Sequence, residues 1–475
     1  MPTPRPLLVL LALTTACGAV DDRPAADAPP GTPDAAADAA IDAPPPPPDA
    51  STDGPPAVPM VSEFLAPQCG AYTPASGVGA GDDLHKVTLT NPDAVCNDGT
   101  RAVLYVRAST GGANANRWVF YQQGGGGCGT GPSCAIRYCG TQKYTKAKMS
   151  SRWTPMVANT DDQGLFDRDG INPFGEANSV LMYYCSSDSW TGTKSDTILD
   201  NPNDPTQRYR IHFRGHTIVQ AALDQLLAGP VTSDDGAVTL PRLTAANLVV
   251  WSGTSAGGAG AEFNLDYVAG RLTPNGTQVR GVFDANLPPR SSDIDPAIAA
   301  QVDGQAQTMG WPVVQTGNWG MYADQSCLAM HAPADQWMCG DNTHVVMNHI
   351  TTPFIARQDL RDTTIGGTYL DLGVPLATLA TWYRATALAV PDIQSTAEER
   401  AAITTRPGIY APNCNQHVAL TSKDYFQITT LTPPGGQPLT WRGAITAWLT
   451  GTAITAIDTQ PATLSVCAGM IDNGE

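Results

Sequence analysis

The stretch that most restricts this fold runs Leu248-Val249-Val250-Trp251-Ser252-Gly253-Thr254-Ser255-Ala256-Gly257-Gly258-Ala259-Gly260. An apolar run stops at small residues crowded around one serine, and helical spacing resumes beyond it. A chain that turns sharply from a strand into a helix tolerates little side-chain bulk beside the turn. A serine at the tip stands exposed, with its neighbour's N–H free. The pattern also suits an ordinary glycine-rich turn, so the remaining chain must supply the companions that a reactive serine needs.

Residues 117–121, 179–184, 248–251, 281–283, 353–356 and 408–410 read as short buried strands. Residues 216–227 place Ile218, Val219, Ala222, Leu223, Leu226 and Leu227 at helical spacing, and residues 375–389 form a second helical pattern. Strands alternating with helices predict an α/β fold, with a mostly parallel central sheet flanked by helices. In such sheets reactive groups sit in loops at the carboxyl ends of the strands.

The chain begins MPTPRPLLVLLALTTAC. Its apolar stretch is far shorter than the ~20 residues a bilayer span needs, and it reads as a secretory signal ending at Cys17. Small residues before that cysteine predict a bacterial lipoprotein anchored through Cys17. Thr14 stands where a lipobox usually has leucine. Residues 18–61 are rich in Ala, Pro and Asp, with five consecutive prolines at 44–48. Such a segment cannot bury enough apolar surface to offset its ordering entropy, and at about 3.1 Å per residue it reads as a semi-rigid spacer. Within it, residues 21–59 carry eight Asp and one Arg, a net −7 that leaves −10 of the chain's −17 elsewhere. That balance argues against a nucleic-acid partner, which would want a basic stripe. Residues 62–475 show no second low-complexity break and read as one domain.

Eleven cysteines are present, and setting Cys17 aside leaves ten. In an exported chain an even set predicts disulfides stapling long loops. No C-x-x-C pair supports zinc. Asp167-Arg168-Asp169-Gly170 is too short for a calcium loop and reads as a turn. No metal or cofactor is expected.

A serine hydroxyl needs a base, and the base needs an acid to hold its tautomer. Where the chain order is Ser, acid, His, four histidines follow Ser255. His331, His344 and His349 precede the strand at 353–356, which leaves His417 as the candidate base. Asp284, Asp359 and Asp362 all lie just beyond strands, and spacing alone does not choose among them. Oxyanion donors would be the N–H of Ala256 and those of the glycines at 124–127, where glycine lets the backbone approach closely.

Taken together these stretches resemble the pectin acetylesterase and Notum family of serine esterases. The resemblance covers roughly residues 115–420. It rests on residues 118–128, on Asn172-Pro173-Phe174, on Tyr184-Cys185-Ser186-Ser187-Asp188-Ser189-Trp190-Thr191-Gly192, on residues 253–258, on Thr352-Pro353 and on Cys414-x-x-His417. It implies an α/β-hydrolase-like fold with Ser255 as nucleophile, His417 as base and Asp362 as acid. Gly125, Gly126 and Ala256 would be the oxyanion donors. Asp188 and Trp190 would lie at the substrate, although Asp188 reads better as a loop brace. Relatives carry Glu before the glycines and Trp after them where this chain has Gln123 and Gly127, which bears on acyl size. The implied substrate is an acetylated polysaccharide such as pectin. Alternatives are a longer acyl ester on a protein or lipid, or a non-catalytic carbohydrate-binding surface protein.

Overall fold

The computed structural model describes residues 57–69, 84–139, 147–158, 164–396, 406–433 and 435–459. The expected signal segment, Cys17, Cys467 and most of the spacer lie outside them. The central sheet is built from β1 (Leu84–Thr88), β2 (Val103–Arg107), β3 (Arg117–Gln122), β4 (Val157–Ala158), β5 (Asn178–Met182), β6 (Leu248–Thr254), β7 (Gln278–Asp284), β8 (Phe354–Arg357), β9 (Gly408–Ala411) and β10 (Thr455–Ile457). Their order is β10-β9-β8-β7-β6-β3-β5-β2-β1-β4. From β10 through β5 every pairing is parallel, and β2, β1 and β4 add an antiparallel edge.

Strand alternation feeds two cores. Trp118, Phe120, Val249, Trp251, Val279, Phe283, Phe354 and Ala356 pack on one face. Val119, Tyr121, Val250, Val282 and Ile355 pack on the other. Successive side chains of a strand point to opposite faces, so a sheet covered on both sides demands apolar residues at every position. That is why these strands read as unbroken apolar runs. Helices Gly215–Ala228 and Ala256–Leu272 cover the first face, and helix Trp441–Leu449 covers the second.

The predicted helix at 375–389 is present as Leu376–Ala389. A hairpin, Lys194–Asn201 with Asp204–Phe213, was not expected; its first strand alternates only partly, and its solvated face hides the pattern. The spacer ends earlier than residue 61. Pro59 O accepts from Arg210 N at 2.7 Å, Val58 O accepts from the Arg210 side chain at 2.8 Å, and Val61 is fully buried. Disulfides join Cys69 to Cys139, Cys96 to Cys185, Cys128 to Cys134 and Cys327 to Cys339. Such bonds persist in oxidising compartments. Among the described residues no helix is long and apolar enough to cross a membrane.

Candidate active site

Strand β6 ends at Thr254 and the next helix begins at Ala256, leaving Ser255 alone at the corner with φ 57° and ψ −125°. A non-glycine residue there is strained, and such strain persists only where the surroundings over-determine it. The surroundings do so through missing side chains. A Cβ at Gly253 would lie 2.0 Å from Gly257 O, and one at Gly257 would lie 1.9 Å from Gln122 O. The crowding of small residues around the serine is therefore a packing requirement. Ser255 is half-buried, and its hydroxyl has no hydrogen-bond partner among the described residues. The N–H of Ala256 belongs to the first turn of the helix, where backbone donors lack intrahelical acceptors.

The glycine loop lies directly against this corner. A Cβ at Gly124 would meet Thr254 O at 2.3 Å and the Ser255 Cβ at 3.1 Å. Gly125 (φ 131°) and Gly126 (φ 62°) both occupy backbone regions that L side chains avoid. The loop is held from several sides. Lys148 Nζ donates to Gly124 O at 3.0 Å, Trp190 Nε1 to Gln123 O at 3.0 Å, and Cys128 N to Ser187 O at 2.9 Å. Beyond it, Asn318 and Trp319 donate to Gly129 O and Cys128 O at 2.7 and 2.9 Å.

His417 sits in the loop after β9, with Nδ1 2.9 Å from Asp362 Oδ2. That contact places the proton on Nδ1 and leaves Nε2 as the basic nitrogen. Asp362 is fully buried and also accepts from Thr364 N, Ile365 N and the Gln358 amide. Burial opposes charge on both partners. The charge and hydrogen bond each offers the other outweigh it, so Asp362 falls below and His417 rises above its ordinary pKa.

All three acids singled out from the sequence hold the His417 loop, each at a different point. Asp362 takes the ring. Asp359 Oδ2 accepts Gln416 N at 2.9 Å, and its Oδ1 pairs with Arg357. Asp284 Oδ2 accepts Ala419 N and Leu420 N at 2.9 and 2.8 Å, and its Oδ1 pairs with Arg357 at 2.9 Å. Asp284 O also accepts Ser255 N at 2.9 Å. One buried residue thus ties the serine corner to the histidine loop.

Asp188 and Trp190, expected at the substrate, are fully buried behind the glycine loop. Asp188 accepts from Ser186 Oγ, Trp190 N and Gly215 N at 2.6, 3.1 and 2.8 Å, and burial pushes its pKa up to about 6. These contacts describe a brace. Ser187, Ser189 and Trp190 all have positive φ, so the segment holding the loop is itself strained. At Gly127 a Cβ would lie 2.9 Å from Ser187 O, so the backbone at 187 occupies the space that a larger residue at 127 would enter. Asp169 Oδ1 accepts Ile171 N and Asn172 N at 2.9 and 2.7 Å, which is a turn.

Two cations beside the loop carried no signal in the sequence. Lys148 lies under Gly125. Arg137 is buried, donates to Ser187 Oγ at 2.8 Å, and brings Nη1 to 3.6 Å from where a Cβ of Gly126 would stand. Both come from segments with no motif and reach the loop only through the fold.

The family model for pectinacetylesterase matches residues 81–365. Palmitoleoyl-protein carboxylesterase notum2 of Xenopus laevis is 25% identical over 366 residues, spanning 74% of this chain and 66% of that protein. Palmitoleoyl-protein carboxylesterase NOTUM of Homo sapiens is 28% identical over 276 residues, spanning 56% of this chain and 48% of that protein. The chain therefore spans about half to two-thirds of the length of these relatives. Among solved structures the Wnt deacylase Notum from Drosophila superposes with a TM-score of 0.58 at 21% identity, covering 80% of this chain and 97% of that one. That likeness speaks for the α/β-hydrolase-like fold. With its family model matching more than half of its length, this chain belongs to the pectinacetylesterase family.

Proposed function

We propose that the protein is an exported serine esterase that removes acyl groups, foremost acetyl, from a polysaccharide such as pectin. The observation that carries this reading is the hydrogen bond from His417 Nδ1 to Asp362, in a loop tied through Asp284 to the strained Ser255 corner. Ser255 Oγ attacks the ester carbonyl while His417 Nε2 takes its proton. The oxyanion accepts hydrogen bonds from the N–H groups of Ala256, Gly125 and Gly126. Collapse breaks the ester C–O bond, and His417 returns the proton to the leaving alcohol. Water, deprotonated by the same nitrogen, then attacks the acyl-serine, and the acid leaves with Ser255 restored. The reaction consumes only water. Disulfides in the folded part agree with export, and anchoring at Cys17 belongs to the same proposal.

A second reading is supported by the relatives notum2 and NOTUM, which are palmitoleoyl-protein carboxylesterases. Here the acyl chain would be long and its carrier a protein. Specificity constants on p-nitrophenyl esters from acetate to palmitate, with Ser255→Ala as blank, separate the two. A steep preference for acetate supports deacetylation, and a preference for eight carbons or more supports the long-chain reading. Wild-type turnover no faster than that of the Ser255→Ala blank on every ester would overturn both, leaving a carbohydrate-binding role in front.

A further inference from the structure

His331, His344 and His349, set aside as bases because of their place in the chain, converge on one point. His331 follows helix Gln325–Met330, His344 lies on helix Asn342–Asn348, and His349 caps that helix. His331 Nε2 and His344 Nε2 are 3.0 Å apart. The three ring centroids lie 5.0, 5.3 and 5.8 Å from one another. One ring nitrogen from each lies within 4.8 Å of the others. We propose that these three imidazoles form a binding site for one divalent transition-metal ion of the zinc class.

The geometry suits the ion. Zn–N bonds of about 2.0–2.1 Å at tetrahedral angles place ligand nitrogens roughly 3.3 Å apart. The closest pair is already near that spacing, and small ring rotations close the rest. The ring of His349 is held for the purpose. Ser326 Oγ donates to Asp324 Oδ1 at 2.6 Å, so it accepts from His349 Nδ1 at 3.1 Å, which leaves the ring's lone pair on Nε2. Metal-ligating histidines are commonly oriented by such a bond from the other ring nitrogen. Cys327 Sγ belongs to the same cluster. It is bonded to Cys339, however, so it offers no thiolate. The same disulfide ties helix Gln325–Met330 to the turn Gln336–Gly340, which leads directly into helix Asn342–Asn348. Three neutral nitrogens with a free fourth position favour zinc, copper or nickel over calcium or magnesium, which take oxygen ligands. His331 and His344 are half-buried, so the ion can reach them. Bound there, it would clamp helix Gln325–Met330 to helix Asn342–Asn348, whose Asn342 donates to Glu262 on the serine helix at 2.7 Å.

The test is calorimetric titration of the untagged, chelator-stripped full chain with ZnCl2, with CoCl2 as spectroscopic probe. The expected result is one ion per chain, a four-coordinate cobalt spectrum, and a raised Tm on adding zinc. His344→Gln should weaken zinc binding about 100-fold or more while leaving p-nitrophenyl acetate turnover unchanged. No saturable binding, or equal binding by the wild type and the His331→Gln/His344→Gln double variant, overturns the site. X-ray absorption of the zinc-loaded wild type provides a check that does not depend on variants folding. Three nitrogen neighbours without sulfur uphold the proposal, and a sulfur or all-oxygen shell, the mark of an adventitious ion only, overturns it.

Discussion

Asp362 and Asp359 stand three residues apart and divide one loop between them: Asp362 holds the His417 ring, and Asp359 holds the backbone N–H of the residue before it. The division makes the two carboxylates experimentally separable. Asp362→Asn should lower kcat roughly 1,000- to 10,000-fold, because an amide favours the wrong imidazole tautomer. Asp359→Asn should lower kcat far less and instead lower Tm, since it leaves Arg357 with one charge fewer beside it. Single-turnover kinetics and thermal melts of both variants check this. A larger kcat loss in Asp359→Asn would reverse the assignment.

The kcat/KM profile should fall on the acid side with a midpoint above 6.5, the ordinary value for histidine. In the proposed mechanism only neutral His417 accepts the serine proton, and Asp362 stabilises the charged form, so activity should be lost as pH drops through the raised pKa. Removing the carboxylate with Asp362→Asn should move that midpoint downward. A wild-type midpoint at or below 6.5 would contradict this pairing.

Gly125→Ala should cut kcat roughly 100- to 1,000-fold with little change in KM. An L residue at φ 131° is strained, and its Cβ would lie 3.0 Å from the Lys148 side chain. The loop would have to shift its N–H away from the oxyanion. Equal losses in binding of a product analogue would show that the glycine serves ground-state binding instead.

Arg357→Met should destabilise the fold by about 3–5 kcal/mol, because it strands Asp284 and Asp359 as buried charges without a cation. Urea unfolding measures the loss. A change under about 1 kcal/mol, the usual worth of a surface pair, would mean that the two carboxylates carry no net charge beside it.

Glu262 is buried on the serine helix, with Oε2 accepting from Asn286 and Asn342, and burial raises its pKa to about 8. Between 4.5, its ordinary value, and about 8 the folded protein holds a proton that the unfolded chain releases. Stability attributable to this group therefore declines as pH rises through that window. Glu262→Gln keeps an acceptor for both asparagines and removes the titration. Its Tm advantage over wild type should be greater at pH 8 than at pH 5, and an equal difference at both would refute the assignment.

The local signals of the chain were readable because their causes are local. The turn at Ser255 announces itself through Gly253 and Gly257, whose side chains would strike backbone a few residues or one strand away. The parallel strands announce themselves as unbroken apolar runs because both sheet faces are covered. Chain order singled out His417 as a candidate, and the fold sets that histidine against Asp362.

Spacing alone did not choose among Asp284, Asp359 and Asp362, where only the family resemblance pointed to Asp362, and nothing in the sequence foretold that Asp284 and Asp359 also anchor the His417 loop. Asp284 reaches Leu420 across 136 positions, and Asp362 reaches His417 across 55. Asp188 and Trp190 sit beside a motif in sequence, yet their side chains point into the core to brace the glycine loop. Arg137 and Lys148 approach that loop from segments with no motif, and three histidines passed over singly form a cluster. Sequence determined where the backbone must turn and which runs must be buried, because sterics and hydrophobic alternation act over a few residues. Tertiary structure alone decided which polar groups meet, because a buried donor or acceptor must find its partner wherever the fold delivers one.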